Sequence, residues 1–349
     1  MKKAIIAMSG GVDSSVAAQL MVDRGYECMG ATMKLYSGEE ESSCCTTADI
    51  EDARAVCDTL GIPYHVYNFT DDFDKKVIKK FIDAYEKGAT PNPCIDCNRY
   101  LKFERLFDKM HELGYDYVVT GHYARIEKVG DRYLLKKAVD HTKDQSYVLY
   151  SLTQKQLSHA IFPLGEYEKS YAREIAEKSG FINANKQDSQ DICFVPDGDY
   201  AEFIERYMNK TYPDGDFVDK SGKVLGKHKG IIRYTIGQRK GLGLSLPAPM
   251  YVCDKDIEKN CVVLCSNEEL FSKSLDAVDF NWIAFENPPA ELRAKARIRY
   301  NQVEEPATIY VTGENTVHIE FDKPQRAIAK GQAVVVYDGE VVLGGGTIV

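Results

Sequence analysis

Over residues 1–200, short apolar runs alternate with stretches in which apolar side chains recur every three or four positions. That alternation predicts a parallel sheet whose strands are joined through helices, a doubly wound α/β fold. The expected strands are residues 4–8, 28–33, 63–67 and 117–120. Between them, Ala53, Val56, Cys57 and Leu60 lead up to Gly61, and Phe103, Leu106, Phe107, Met110 and Leu113 lead up to Gly114. Both series read as amphipathic helices stopped by a glycine. From residue 201 the texture changes to short runs punctuated by Gly and Pro, such as 230–234 and 247–249, which predicts a small mixed or β central domain over 201–274. Period-two segments at 296–300, 308–311, 317–321 and 333–337 then predict a C-terminal antiparallel β-barrel over 275–349.

Composition narrows the function. A length of 349 residues suits two or three domains, and with 44% hydrophobic and 28% charged residues each has enough apolar side chains for a core. The first apolar run is five residues long and meets Ser9 at once, too short for a membrane span or a signal-peptide core, so a cytoplasmic protein with no membrane partner is expected. In that compartment the ten cysteines remain thiols. With 44 basic against 53 acidic residues, the net charge of −9 argues against nucleic-acid binding through overall charge and leaves only local patches. One such patch is the window 221–250, which carries Lys223, Lys227, Lys229, Arg233, Arg239 and Lys240 and no Asp or Glu. It reads either as an RNA-facing surface or as a merely solvated hairpin.

The sharpest local signal is Ser9-Gly10-Gly11-Val12-Asp13-Ser14-Ser15, between the first strand and a helical run. Two glycines allow close backbone approach, and hydroxyls with unpaired N–H groups at a helix start favour an anion, although a tight turn without a ligand would have the same letters. Neither a Walker A loop nor a dinucleotide fingerprint is present. The loop resembles the pyrophosphate loop of N-type ATP pyrophosphatases, which implies ATP with Mg²⁺ as a substrate and adenylation as the first step. Residues 91–99 set Cys94 and Cys97 in a proline-braced loop before a helix, next to Arg99, where a lowered thiol pKa is expected. Cys193 lies in a second polar loop. Two ordinary half-buried thiols, a C-x-x-C redox pair, or an iron–sulfur cluster on Cys94, Cys97 and Cys193 are the alternatives. Cys44, Cys45, Cys253, Cys261 and Cys265 lack ligand spacing and read as structural thiols.

Five segments in order, 9–15, 92–98, 120–125, 143–147 and 188–194, resemble the bacterial tRNA-specific 2-thiouridylase (MnmA/TrmU) family, and the likeness continues through 234–243 and 296–300 to Gly331-Gln332. The resemblance implies a tRNA sulfurtransferase acting on the wobble uridine of tRNAs for Lys, Glu and Gln, with no tightly bound cofactor. It implies Cys193 as the persulfide carrier, loaded by a cysteine desulfurase or a sulfur-relay protein, and Cys97 as its partner thiol. ATP would be bound by Ala7, Met8, Ser9, Gly10, Gly11, Val12, Asp13, Ser14, Met33 and Gly121. The tRNA would be met by Asn92, Pro93, Cys94, His122, Lys143, Asp144, Gln145, Arg299, Tyr300 and Gln332. Cys94 departs from the pattern, since an Asp often stands there in relatives.

Overall fold

The four expected strands form as β1 Lys3–Ala7, β2 Glu27–Lys34, β3 Tyr64–Asn68 and β4 Tyr117–Val119 in a computed structural model that describes residues 1–36, 46–187, 192–195 and 197–349. A hairpin follows, β5 Ala124–Val129 and β6 Arg132–Lys137, and then a two-residue strand, β7 Ala160–Ile161, too short to register as an apolar run. The first sheet is parallel throughout in the order β3-β2-β1-β4-β7. Ala4, Ile5 and Ile6 of β1 are wholly buried, as expected of a central strand covered by helices on both faces.

Two helices complete the frame of the site. Helix α1, Val12–Asp23, follows β1 directly. Helix α2, Thr47–Leu60, opens on a capping box between Thr46 and Asp49 and closes at Gly61, whose φ of 66° suits a residue without Cβ. Because β2 and β4 lie on opposite sides of β1, the chain reverses its winding there. The crevice at the carboxyl ends of β1 and β4 is where sheets of this type take their ligands.

The central region builds a four-stranded sheet from β8 Gly215–Asp219, β9 Val224–His228, β10 Tyr251–Asp256 and β11 Cys261–Cys265, in the order β10-β11-β8-β9. It is mixed, because β8 and β11 run parallel while the other pairs are antiparallel. The apolar run at 230–234 is a 3₁₀ turn, Ile231–Arg233, rather than a strand; its two isoleucines are buried beside the rings of Phe217, His228 and Tyr234.

The last region comprises β12 Phe271–Trp282, β13 Glu291–Arg297, β14 Glu305–Gly313, β15 Thr316–Arg326, β16 Ala333–Asp338 and β17 Val341–Ile348. Antiparallel pairing of β12 with both β15 and β17 closes these six strands into a barrel. The hairpin β5–β6 leaves the first region and extends this sheet, Leu135 opposite Val342 and Lys136 opposite Val341. Leu135 and Val342 share one core with Tyr147 and Tyr337, and Arg132 donates to the carbonyls of Ile283 and Phe285. The α/β region is thus stitched to the barrel. Among the described residues no helix is long and apolar enough to cross a membrane.

Candidate active site: an anion-binding loop beside a cleft of thiols

Beyond Ala7 the chain turns through Met8–Gly11 into α1. Gly10 has φ 73°, and a Cβ there would lie 2.4 Å from the carbonyl oxygen of Asp49, so the first turn of α2 packs directly on the loop. Only glycine fits both demands. Gly11 caps α1 without a side chain, which leaves the N–H groups of the first turn for an anion. The hydroxyls fix the loop itself. Ser14 Oγ donates to Gly11 O at 2.9 Å and accepts from Ser9 N–H at 3.2 Å, while Ser15 Oγ donates to Gly11 O at 3.1 Å.

Three braces come from far along the chain and carry no local sequence signal. Buried Asn183 donates through Nδ2 to Gly10 O at 3.0 Å and to Ser15 Oγ at 2.9 Å. Asp13 accepts from Tyr123 Oη at 2.9 Å and from Lys169 Nζ at 2.7 and 2.9 Å. Gly121, just past β4, lies so close to α1 that a Cβ would stand 2.8 Å from the carbonyl carbon of Asp13 and 2.9 Å from Ser14 N. Met33 is buried near the carboxyl end of β2. All ten positions expected to bind ATP therefore gather at one edge of the parallel sheet, with Val12 and Met8 buried beneath and Ser9 exposed.

The thiols occupy the neighbouring cleft. Asn92 caps the short helix Pro93–Asp96 by accepting from Cys94 N–H at 3.1 Å, and buried Pro93 takes its first position. The chain continues as a π-helix, Cys97–Arg105, a form that recurs at functional sites. Cys193 is positioned by its neighbour Phe194, whose ring packs between Phe73, Phe81 and Phe203 at centroid distances of 5.7, 5.3 and 5.2 Å. Cys97 and Cys193 are both half-buried against the core that contains Met33 and Phe194. Cys94 is exposed yet surrounded, as on the floor of a cleft; burial pushes its thiol up, and the charge of Cys193 pushes it further.

For Cys94 that direction corrects the lowered thiol pKa expected beside Arg99. The Arg99 guanidinium is engaged by both carboxylate oxygens of Asp279 on β12 and is not free to activate a thiol. The cation that opposes the rise at Cys94 is Lys102, which the sequence reading missed. Lys102 lies five residues after Cys97 on the π-turn, near His122 as well, and makes no ion pair among the described residues. The iron–sulfur alternative gains no support, because no group of three or more His, Cys, Asp or Glu among the described residues is arranged to hold a metal ion. Cys44, Cys45 and the segment 188–191 lie outside the described residues. Cys253, Cys261 and Cys265 lie on the central sheet, away from this cleft.

The positions expected to meet tRNA divide into two groups. Asn92, Pro93, Cys94 and Tyr300 border the cleft, Tyr300 close enough to Cys94 to feel its charge and edge-on to Tyr147 at 6.0 Å. His122 lies behind it, 2.7 Å from Thr120 Oγ1 and packed on Phe103 and Phe162; burial holds its imidazole well below the ordinary value, hence neutral. The others act on the framework. Gln332 donates to Thr90 O at 2.7 Å, tying the barrel to the loop that presents Asn92. Gln145 exchanges backbone and side-chain hydrogen bonds with Tyr123, the same residue that holds Asp13. Asp144 is buried, and its carboxylate accepts from Ala138 N, Ser146 N, Ser146 Oγ and Arg297 Nη2, while Lys143 beside it is half-buried. Arg299 donates to the carbonyls of Ile236 and Ala327.

The basic window is less positive than its letters. Lys227 pairs with Asp216 at 2.7 Å, and Arg233 pairs with Glu205, both acids lying outside the window. Lys223, Lys229, Arg239 and Lys240 make no ion pair among the described residues.

Family profiles match three successive parts of the chain: a tRNA methyl transferase HUP domain over residues 2–197, a tRNA methyl transferase PRC-barrel domain over 201–266, and an aminomethyltransferase beta-barrel domain over 272–348. The chain is 52% identical to the tRNA-specific 2-thiouridylase MnmA of Clostridioides difficile (strain 630), with 99% of this chain and 98% of that protein aligned. It is 50% identical to the proteins of the same name from Clostridium botulinum (strain Alaska E43 / Type E3), with 99% and 98% aligned, and from Acetivibrio thermocellus, with 99% of each. Half of all positions agree over almost the whole length of both chains, and the chain belongs to the tRNA-specific 2-thiouridylase MnmA family.

Proposed function

We propose that this protein exchanges O2 of the wobble uridine of tRNA for sulfur, on tRNAs of the Lys, Glu and Gln type, with ATP as the activating substrate. ATP with Mg²⁺ lies along the carboxyl edge of the parallel sheet, its leaving pyrophosphate in the Ser9–Ser14 loop and its adenosine between Met33 and Gly121. The uridine, turned out of its stack, enters the cleft bordered by Asn92, Pro93 and Cys94. Its O2 attacks the α-phosphorus and pyrophosphate departs, so that a poor leaving group becomes AMP.

Sulfur arrives as the terminal atom of a persulfide on Cys193, loaded by a cysteine desulfurase or relay protein. Attack at C2 expels AMP with the original oxygen. Cys97 thiolate closes a disulfide with Cys193, either releasing hydrosulfide for that attack or severing the S–S bond after it. Both routes leave one disulfide, which a cellular dithiol reduces by two electrons before the next cycle. Asp144 serves this reaction from inside, by fixing the backbone that carries Lys143 and Gln145.

The observation that carries the reading is the placement of three thiols, Cys94, Cys97 and Cys193, beside a helix start that has no side-chain cap. A methyl transferase, as the family profiles are described, or a nitrogen-delivering synthetase with the same loop would leave these thiols without work. The test is nucleoside mass spectrometry of tRNA incubated with the protein, ATP, Mg²⁺ and a persulfide donor. 2-Thiouridine is expected with the wild type and lost with Cys97→Ser and Cys193→Ser, while both variants still release pyrophosphate in the presence of tRNA. Donor-replete wild type that yields no 2-thiouridine overturns the proposal.

A further inference from the structure

The π-helix Cys97–Arg105 carries three cations, and two of them are spent. Arg99 is held by Asp279, and Arg105 pairs with Asp72 at 2.7 Å. The lysines that reach this segment from the helical stretch before it are spent as well, Lys76 on Glu104 and Lys80 on Asp96, each at 2.6 Å. Lys102, half-buried on the same π-helix, has neither a carboxylate nor a hydrogen-bond partner among the described residues.

An ammonium partly withdrawn from water with no counter-charge costs stability, and its surroundings say what kind of anion would relieve it. Its charge acts on Cys94 and on His122, and Cys94 in turn feels the charge of Cys193. Cys97 opens the helix, one i→i+5 turn before Lys102. The unpaired cation therefore belongs to the thiol cleft. Neither neighbour neutralises it, because burial keeps the proton on the Cys94 sulfur and holds the His122 imidazole neutral. Phosphate has its own donors, the N–H groups at the uncapped start of α1.

We propose that Lys102 is the binding site for the sulfur anion of the reaction: its ammonium pairs with the terminal sulfur of the Cys193 persulfide, or with the hydrosulfide released from it, and holds that sulfur beside the activated uridine. The inference rests on the thiolation reading and deepens it. The terminal S–H of a persulfide is more acidic than a thiol, so at neutral pH the group arrives as the anion, the nucleophilic form. It extends one S–S bond, about 2 Å, beyond the Cys193 sulfur. A lone pair of the anion forms the C–S bond at C2, and the C2–O pair leaves with AMP. In the persulfide route Cys97 thiolate then takes the Cys193 sulfur, and the S–S electron pair passes to the thiocarbonyl sulfur. In the hydrosulfide route Cys97 attacks first, and the added sulfur gives its one proton to water. Lys102 keeps its protons throughout and supplies charge alone.

One test compares alkylation of Cys94 by iodoacetate, an anion, and by neutral iodoacetamide in wild type, Lys102→Met and Lys102→Arg. Both reagents need the thiolate, so the ratio of their rates cancels any change in thiol acidity and reports the pull on an anion. At low salt the ratio should fall about fivefold in Lys102→Met and recover in Lys102→Arg. Equal ratios in wild type and Lys102→Met overturn the site. A second test follows 2-thiouridine and pyrophosphate together, with a persulfide donor or with sodium sulfide alone. With the persulfide donor, Lys102→Met should form about tenfold less 2-thiouridine per pyrophosphate released, with Lys102→Arg in between. The same loss with sulfide identifies the anion as hydrosulfide; sulfide turnover that is unaffected, or absent in wild type too, identifies it as the persulfide. An unchanged yield per pyrophosphate overturns the proposal, and so does pyrophosphate release that falls as far as 2-thiouridine, which would make Lys102 a phosphate contact. Wild type that forms no 2-thiouridine from either source sinks the thiolation reading and this inference together; wild type that forms it no faster than Lys102→Met sinks this inference alone.

Discussion

The loop and the cleft lie side by side but are built to opposite specifications. Asp13, Ser14 and Ser15 are all engaged, Ser14 within the loop itself, and the braces Asn183, Tyr123 and Lys169 come from remote segments. The cleft is left open: Cys94 is exposed, Lys102 has no counter-ion among the described residues, and the buried Oδ1 of Asn98 has no hydrogen-bond partner there. On the proposed reading the loop holds a departing pyrophosphate and gains from dipoles fixed before the reaction. The cleft, on the same reading, receives a sulfur carrier and then a nucleobase and needs groups whose partners are still to come. The first should fail abruptly when disturbed, and the second by degrees.

The largest effect expected from breaking this contrast is on the loop side. Gly121→Val would drive a branched side chain into the backbone of Asp13 and Ser14, atoms that cannot swing aside. We expect a fall of about 100-fold in kcat/KM for ATP, roughly 2.7 kcal/mol of transition-state stabilisation. Pyrophosphate release measures it, and alkylation of Cys94 should proceed at the wild-type rate. Equal losses in both assays would mean that the two sites form one rigid unit.

On the cleft side, Lys102→Met removes the cation that opposes the upward shift at Cys94. Its thiol should then hold its proton more tightly, and iodoacetamide at neutral pH should label it about three- to tenfold more slowly. ATP-dependent pyrophosphate release should change far less. An unchanged labelling rate would remove Lys102 from the cleft's electrostatics.

A third effect, on stability and not on the chemistry, concerns His122, between the two. Its folded pKa is depressed below 6.5 by burial, so below that pH the unfolded chain binds a proton that the folded chain refuses. Stability is therefore full above about pH 6.5 and is lost as pH falls towards the folded value, by at most about 1.4 kcal/mol per pH unit. Urea midpoints taken between pH 7 and pH 5 should show that slope, and His122→Gln should flatten it.

What could be read from the sequence follows the range of the forces involved. The loop was legible because its glycines and hydroxyls are contiguous and its chemistry is local. Its braces were not, since Lys169 reaches Asp13 across 156 positions and Asn183 reaches Ser15 across 168. Cys97 and Cys193 were singled out by motif, but the cation beside them was taken to be Arg99. Asp279, on a bulged barrel strand, claims that guanidinium. Lys102 would not be placed with the thiols by α-helical spacing from Cys94, which puts residues eight apart about 80° round the axis; the wider π-turn between them brings its charge to bear on Cys94. The window 221–250 looked uniformly basic because Asp216, Glu205 and Asp199 approach it only in space.

Pairing of β6 with β17 also sets a timetable for biosynthesis. Leu135 leaves the ribosome more than two hundred residues before its partner Val342, a wait of roughly 10–40 s at ordinary elongation rates. Throughout that interval one margin of the hairpin has no neighbour, and the apolar face it carries stays uncovered until β17 is made. The nascent chain thus has a built-in period of vulnerability that lasts until β17 has emerged.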